Sequence, residues 1–421
     1  MHEVFMEIKR DFYLNKLINK KHNKLIKIVT GPRRVGKSYL LFNLFYHHLL
    51  LEGVKNDQII KIALDSIENE HLRNGKVLFD YVLNFIKDEN KYYYVLLDEI
   101  QYVSKFIDVL NGLMKRENID IYVTGSNSKL LSSDIATEFA SRGDEVRIYA
   151  LNFQEFKSIN LNKDNEQLWK EYCEFGGMPN TVLNENSEEK ENFLQNLFQN
   201  TYMNDVILRY KLRNKEFLNE IITFLANNIG SYINTNKIFN YFKSLKKTNI
   251  SYNTISKYLV YFNEAFIIEK ANKQSVKSYE VFKSLNKYYF VDLGIRNFLT
   301  NISSKDEGHI MENIIFLELK RRGFKVSVGS LEKRELNSKN EYIRKEFEID
   351  FIAKKKNQTY YIQRCLNLNE SNEEREKIPL KMLEDAHRRI IITKDAFTYK
   401  TDNYGIETIN LFDFLLNDNI F

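Results

Sequence analysis

Between Leu25-Ile26-Lys27-Ile28-Val29-Thr30, which reads as a β-strand, and the apolar stretch Tyr39 to Leu51, which reads as a helix, stands the octet Gly31-Pro32-Arg33-Arg34-Val35-Gly36-Lys37-Ser38. Strand, glycine loop and helix in this order constrain the fold more than any other feature of the chain. A loop with this spacing points its backbone N–H groups, and those of the helix start, at a single anion. The two glycines let the backbone wrap closely around a phosphate. The pattern G-x-x-x-x-G-K-[ST] in this setting predicts a P-loop, with Gly31, Pro32, Arg33, Arg34, Val35, Gly36, Lys37, Ser38 and Tyr39 as its nucleotide-contacting residues. Lys37 is expected to reach the β- and γ-phosphates and the Ser38 hydroxyl to complete a Mg²⁺ shell.

A phosphate loop requires an acidic strand end for the metal. Tyr93-Tyr94-Val95-Leu96-Leu97-Asp98-Glu99 supplies one: its unbroken apolar run reads as a central strand buried on both faces. Asp98 is expected to hold Mg²⁺ and Glu99 to polarise an attacking water, a pairing that suits hydrolysis. Ile119 to Val123 reads as a further strand, ending in Thr124-Gly125-Ser126-Asn127. A polar residue there would orient water. Asn127 is taken as that residue, although spacing alone leaves Thr124 and Ser126 open.

The 421 residues exceed one ordinary core and point to two to four domains. Hydrophobic residues make up 43%, enough to bury sizeable cores. Two cysteines, Cys173 and Cys365, exclude a disulfide scaffold and a four-cysteine zinc module. His47 and His48 are neighbours on a helix and point apart, which is poor geometry for a shared metal. No apolar run has the length of a membrane span and the N-terminus lacks a signal-peptide layout, so a cytoplasmic protein with no membrane partner is expected. The net charge of +5 is unevenly placed: Ser231 to Phe290 holds ten Lys, no Arg and three Glu. Such a patch is an electrostatic footprint for a polyanion.

That patch overlaps three helical patterns, Glu216 to Ala226, Thr235 to Leu245 and Thr254 to Phe266, followed by Phe266-Ile267-Ile268-Glu269, which reads as a β wing. Ile255, Tyr258, Leu259 and Phe262 fall on one face of the third. The layout is that of a winged helix, with Lys243, Lys246, Lys247 and Lys257 placed for phosphates of double-stranded DNA and no Arg or Gln cluster to read bases. Internal packing is the competing role for such a segment.

Further on, His309 to Arg322 reads as a helix carrying Glu312 and Glu318, and strands follow at Phe324 to Val328, Phe347 to Ala353 and Thr359 to Cys365. Helix Glu, strand Asp and a third position on the next strand (Glu312, Asp350, Gln363) trace the outline of a metal-dependent nuclease site. The third element departs from it: Gln363 is neutral where an acid is needed, and Cys365 cannot replace a lysine ammonium. Arg364 is expected to point to the opposite face, and Lys320 could stand in for the lysine only by folding back toward Asp350. A degenerate, non-nucleolytic site is expected. Glu332 to Glu346, dense in charge, reads as a mobile solvated loop.

The ordered strings GPRRVGKS, LLDEIQYV, TGSNSKLL, SRGDEVRIYALNFQEF and EYCEFGGMP, then KYYFVDLGIR, MENIIFLEL, EIDFIA and YYIQ, resemble the AAA+ ATP-binding proteins of bacteria and archaea that carry a C-terminal domain of unknown function. The resemblance spans nearly the whole chain. It implies an α/β fold: a P-loop AAA+ core over 1–150, a helical lid over 151–215, a winged helix over 216–290 and a PD-(D/E)xK restriction-endonuclease-like domain over 291–421. It also implies ATP as the nucleotide. Arg142, on the turn before the strand Glu145 to Tyr149, lies where such proteins carry an arginine finger for a neighbour's site, so a homo-oligomer is implied; a solvated turn arginine is the alternative. Arg209 is a weaker candidate for a second nucleotide sensor. Three functions are compatible with this reading: an ATPase coupled to nucleic acid or assembly, a nucleotide-switched binding protein with slow turnover, and, against the Gln363 and Cys365 substitutions, an ATP-dependent nuclease.

Overall fold

The computed structural model describes residues 8–126, 142–212, 214–245, 251–300, 307–336, 342–395 and 400–421. The chain divides into two compact units, one reaching to Ala150 and including Glu264–Phe266, the other comprising Leu151–Asn263 and Ile267–Phe421. Among the described residues no helix is long and apolar enough to cross a membrane.

The first unit is built on five parallel strands, β1 (Ile26–Thr30), β2 (Ile59–Ala63), β3 (Tyr93–Asp98), β4 (Ile119–Gly125) and β5 (Gly143–Arg147), in the order β2-β3-β4-β1-β5. Strands covered on both faces need apolar side chains on both, which is why β3 and β4 read as continuous apolar runs. One face carries the helices Gly75–Phe85 and Phe106–Leu113, whose Leu78, Val82, Val109, Leu110 and Leu113 pack with Ile26, Ile28, Ile60, Val95, Leu97, Ile121 and Val123. Charge inside this sheet is paired: Lys27 on β1 and Asp120 on β4, both buried, form an ion pair, and Asp120 also accepts from the Tyr122 hydroxyl at 2.9 Å and the His22 N–H at 3.1 Å. A buried ion is tolerated only when its remaining hydrogen-bonding capacity is met in this way.

Parallel pairing brings the C-terminal ends of the strands to one edge. Thr30 pairs with Gly125, Leu97 with Val123 and Ala63 with Asp98, so the loops after β1, β3 and β4 open side by side. This edge is where open α/β sheets bind ligands.

The second unit begins with helices, among them Lys215–Asn227, Thr235–Ser244 and Tyr252–Glu264. The face expected on the last is buried: Ile255, Tyr258, Leu259 and Phe262 are 0–6% exposed. Then come β6 (Ile268–Ser275), β7 (Val281–Phe290), β8 (Lys325–Leu336), β9 (Tyr342–Lys355), β10 (Gln358–Cys365), β11 (Arg388–Thr393), β12 (Lys400–Thr401) and β13 (Ile406–Asn410). All eight share one mixed sheet in the order β12-β13-β11-β10-β9-β8-β6-β7. Two local expectations change. The strand expected at Phe266–Glu269 begins only at Ile268, as the start of β6, whose far end pairs in parallel with β8 from Lys273 to Ser275. The charged stretch Glu332–Glu346 is not a plain loop: β8 and β9 stay in antiparallel register out to Leu336 opposite Tyr342. Cross-strand backbone bonds hold a stretch in which charged residues fall on both faces, and such a stretch has no apolar alternation to betray it.

Two of the quoted strings meet here. Asp292 of KYYFVDLGIR caps the helix Leu293–Phe298 through the Ile295 N–H at 3.2 Å and accepts the Gly177 N–H of EYCEFGGMP at 2.8 Å. Asn297 adds bonds from its amide to the Cys173 and Glu174 carbonyls at 2.7 and 2.8 Å. Gly176 has φ +72°, and a Cβ there would lie 2.5 Å from the Asp292 carboxylate.

Candidate nucleotide site and the buried charge cluster

The loop after β1 runs from Gly31 into a helix that is α over Lys37–Tyr39, widens to π turns over Leu40–Phe45 and returns to α over Tyr46–Leu51. Its glycines differ in role. Gly31 has φ +144° and a Cβ on it would sit 2.3 Å from the Ile148 carbonyl oxygen, whereas Gly36, at φ +91°, faces open space. The first is fixed by packing, the second by its left-handed backbone alone. Arg34 is exposed and also left-handed at φ +67°, Pro32 and Val35 are buried, and Arg33, Gly36 and Tyr39 are half-buried.

Lys37 is 5% exposed, with its ammonium donating to the carbonyls of Gly31 at 3.2 Å and Pro32 at 2.8 Å. Burial lowers its pKa, opposed by the charges of Glu99 and Asp98 and reinforced by that of Arg33. The Ser38 hydroxyl donates to Asp98 Oδ2 at 2.7 Å. Thr124 donates to the other oxygen of Asp98, and its own Oγ1 accepts the Glu99 N–H at 2.9 Å. Burial raises the Asp98 pKa, while the two hydroxyls lower it. A buried carboxylate whose hydrogen-bond donors are two neutral hydroxyls, beside a second hard oxygen, fits a Mg²⁺ ion.

Glu99 sits just past the strand in a left-handed conformation, φ 54° and ψ 51°. Its Oε2 accepts from the Ser126 hydroxyl at 3.0 Å, the Ser126 N–H at 3.3 Å and the Gln101 amide. Of the three polar residues after β4, Thr124 and Ser126 both touch the acid pair; Asn127 lies outside the described residues. Sequence reasoning missed Gln101 and also Arg10. The buried Arg10 guanidinium donates to the Val35 carbonyl at 3.3 Å and the Tyr149 carbonyl at 2.7 Å, and it lies 4.7 Å from the centre of the Tyr13 ring. Nothing in the local sequence marks an arginine a whole helix upstream as a brace for the phosphate loop.

Arg142 is not part of this constellation. It is exposed, and its carbonyl accepts the Ile26 N–H at 2.8 Å, at the start of β1 and therefore at the opposite edge of the sheet, about 15 Å of strand away from the loop. Arg209 is tied to Asp205 one helical turn back.

In the second unit Glu312, Asp350 and Gln363 do come together, but not as the expected outline. Glu312 is fully buried and accepts from Lys287 Nζ at 2.8 Å, the Tyr289 hydroxyl at 2.7 Å and Arg364 at 3.3 Å. Lys287 bridges on to Glu348 at 2.6 Å. Asp350 accepts the Arg364 N–H at 2.8 Å, while its own N–H donates to Gln363 Oε1 at 3.3 Å and the Gln363 amide donates to Glu376 at 3.2 Å. Arg364 was expected on the opposite face. The last β9–β10 rung is Phe351 opposite Ile362, so just beyond it the strands are free to part and the long guanidinium reaches Glu312. Lys320, which could have stood in for the lysine only by folding back toward Asp350, lies 3.6 Å from Glu269. Burial would raise the Glu312 pKa, but Lys287, His309 and Arg364 hold it far below the usual range. Burial and the Glu312 charge push Asp350 up. Among the described residues no group of three or more His, Cys, Asp or Glu is arranged to hold a metal ion.

An AAA domain model matches residues 23–157, and a domain of unknown function, DUF8612, matches residues 166–306. An uncharacterised protein of Haemophilus influenzae is 32% identical over 413 residues, spanning 97% of this chain and 98% of its own. The chain belongs to the AAA+ family. This AAA+ protein is also 34% identical over 388 residues to the uncharacterised protein MJ1544 of Methanocaldococcus jannaschii, covering 88% of this chain and 80% of that one. Among solved structures it resembles the Walker-type ATPase PABY2304 of Pyrococcus abyssi, at a TM-score of 0.48 and 15% identity, over 70% of this chain and 96% of that one. The matched AAA domain contains the phosphate loop, the Asp98–Glu99 strand end and Arg142, so the AAA+ protein is an ATP-binding one.

Proposed function

We propose that this protein is a Mg²⁺-dependent ATPase whose nucleotide cycle is coupled to nucleic-acid binding or to assembly of copies of the chain. The observation that carries the reading is the 2.7 Å bond between the Ser38 hydroxyl and Asp98, formed beside the buried Lys37 ammonium at the ligand-binding edge of the sheet. Ser38 and Asp98 would hold Mg²⁺, which when bound neutralises charge on the transferring phosphate. The backbone from Gly31 to Lys37 cradles the β-phosphate, and Lys37 exchanges two loop carbonyls for phosphate oxygens. Glu99 then takes the proton of the attacking water, which requires it to leave Ser126 and Gln101. Arg142 has no part in its own subunit's site; its role as a finger is to a neighbouring copy. The helices Lys215–Asn227, Thr235–Ser244 and Tyr252–Glu264 with the β6–β7 hairpin act as a winged helix, and the exposed Lys243 and Lys257 meet DNA phosphates. Lys246 and Lys247 lie outside the described residues. The cluster at Glu312 is a degenerate nuclease site in which Lys287 and Arg364 neutralise the acid.

A second reading, a nucleotide switch with slow turnover, is favoured by the three hydrogen bonds that hold the Glu99 carboxylate away from a free, water-accepting state. Steady-state ATP hydrolysis at low salt, with and without duplex DNA, separates the two. Turnover that Lys37→Ala abolishes and DNA accelerates supports the coupled ATPase. Tight ATP binding with negligible turnover under both conditions supports the switch. A chain that binds no nucleotide overturns both.

A further inference from the structure

The peptide between Val35 and Gly36 is held from outside the phosphate loop. Arg10 stands just before the helix Asp11–Ile18 and is 4% exposed, with its guanidinium donating to the Val35 carbonyl at 3.3 Å and to the Tyr149 carbonyl at 2.7 Å. The buried Tyr13 ring lies against that guanidinium, and the Tyr13 hydroxyl accepts the Tyr149 N–H at 3.1 Å. Arg10 and Tyr13 thus engage both backbone groups of Tyr149. The residue before it, Ile148, donates its N–H to the Thr30 carbonyl at 2.8 Å, and the Ile148 carbonyl is what a Cβ at Gly31 would strike. One guanidinium therefore links the segment that packs on the Gly31 end of the loop to the residue just before Gly36.

The two ends of the loop differ in what sets them. Gly31 is fixed by contact with Ile148, whereas a Cβ on Gly36 would have no atom within 4 Å. A glycine in open space leaves its peptides free to turn, so the plane between Val35 and Gly36 has to be set from elsewhere. Among the described residues no peptide bond is cis. In a trans peptide the C=O of one residue and the N–H of the next point in opposite directions. With the Val35 carbonyl turned to Arg10, the Gly36 N–H is turned away from Arg10 and from the buried side of the loop, which is where a phosphate would lie. The effect runs both ways through the peptide. A cation at the carbonyl strengthens the N–H as a donor, and an anion at the N–H strengthens the carbonyl as an acceptor. The Val35 bond, at 3.3 Å the longer of the two, is the one that bound phosphate would tighten.

We infer that Arg10 is a positioning residue for the nucleotide: by holding the Val35 carbonyl it aims the Gly36 N–H at the β-phosphate and so sets the affinity for nucleoside di- and triphosphates, without touching them. A lysine cannot take its place in full, because a point ammonium lacks the planar fork that spans two carbonyls. The inference rests on the phosphate-loop part of the proposed function, not on hydrolysis, DNA or assembly.

The test compares full-length wild type, Arg10→Met and Arg10→Lys in calorimetric titrations with MgADP and in NMR spectra of selectively ¹⁵N-glycine-labelled protein. The label reports on the amides of only 15 residues, and Gly36→Ala identifies the Gly36 signal by its loss. Arg10→Met should bind MgADP at least about ten-fold more weakly, the scale of a lost hydrogen bond to a charged group. At saturating MgADP its Gly36 amide should shift downfield less than that of wild type, and Arg10→Lys should fall between the two on both readouts. Thermal melts establish which variants are folded; if Arg10→Met is not, Arg10→Lys decides alone. Weaker binding with a full Gly36 shift would make Arg10 a contact to another part of the nucleotide and end the positioning role. Variants that bind like wild type would overturn the inference and leave the phosphate loop standing. Wild type that binds no MgADP would overturn the loop as a nucleotide site, and this inference with it.

Discussion

Ser38 and Asp98 lie sixty positions apart and are joined by a 2.7 Å hydrogen bond from hydroxyl to carboxylate. One residue opens the helix after β1 and the other closes β3, so the bond exists only because parallel pairing delivers both strand ends to the same edge. It is the point at which a loop that can hold phosphate and a carboxylate that can hold a cation become one site.

The restraint on Glu99 predicts an activating substitution. Removing its amide partner by Gln101→Ala frees the carboxylate from one of its hydrogen bonds, and basal ATP turnover should rise several-fold. Glu99→Gln should keep ATP binding and lower turnover by about 10²–10⁴-fold, the usual worth of a positioned base. Single-turnover hydrolysis of radiolabelled ATP checks both; a Gln101→Ala rate at or below wild type removes Gln101 as a restraint.

The two loop glycines should respond differently to alanine. At Gly31 the new Cβ collides with the Ile148 carbonyl, backbone against backbone, so the loop must move and nucleotide binding should be lost together with several degrees of Tm. At Gly36 only conformational strain is added, about 1–2 kcal/mol. Nucleotide titration and thermal melts of the two variants make the comparison. Equal damage would mean that packing against Ile148 does not set the loop.

Asp292 should make stability pH-dependent. Burial pushes its carboxyl up to about 6, against the N–H donors of Gly177 and Ile295 that lower it. With the folded pKa above the unfolded one, the folded state holds the extra proton. The contribution is therefore fully present below about pH 4 and is lost as pH rises through about 6. Relative to Asp292→Asn, the wild type should lose about 2–3 kcal/mol between pH 4 and pH 7.5. Urea melts of both proteins over this range give the difference directly, and a flat difference would contradict the assignment.

Lys287 is the counter-ion of a fully buried Glu312. Lys287→Met leaves that carboxylate short of its nearest cation and should cost about 3–5 kcal/mol of unfolding free energy. Lys287→Met/Glu312→Gln, which removes both charges, should recover much of it. A double variant no better than the single one would show that Lys287 packs rather than pairs. Chemical denaturation at neutral pH measures each.

Motifs carried by contiguous residues were legible from the chain. The phosphate loop, the apolar strand ending in Asp98-Glu99 and the buried face of Ile255, Tyr258, Leu259 and Phe262 all follow from local spacing, because loop curvature, strand burial and helical periodicity are short-range properties. What joins distant segments was not. The bracing of Val35 by Arg10, the capture of Glu99 by Ser126 and Gln101, the meeting of Asp292 with Gly177, and the arrival of Lys287 beside Glu312 depend on which strands pair and in what register. The β8–β9 pairing out to Leu336 and Tyr342 escaped notice for the related reason that charged residues on both faces erase the alternation by which a strand is read. The sequence by itself determined the chemistry the chain can offer a nucleotide; the tertiary structure decided which side chains hold that chemistry in place, since hydrogen bonds and ion pairs over tens of residues are set by packing and not by neighbours along the chain.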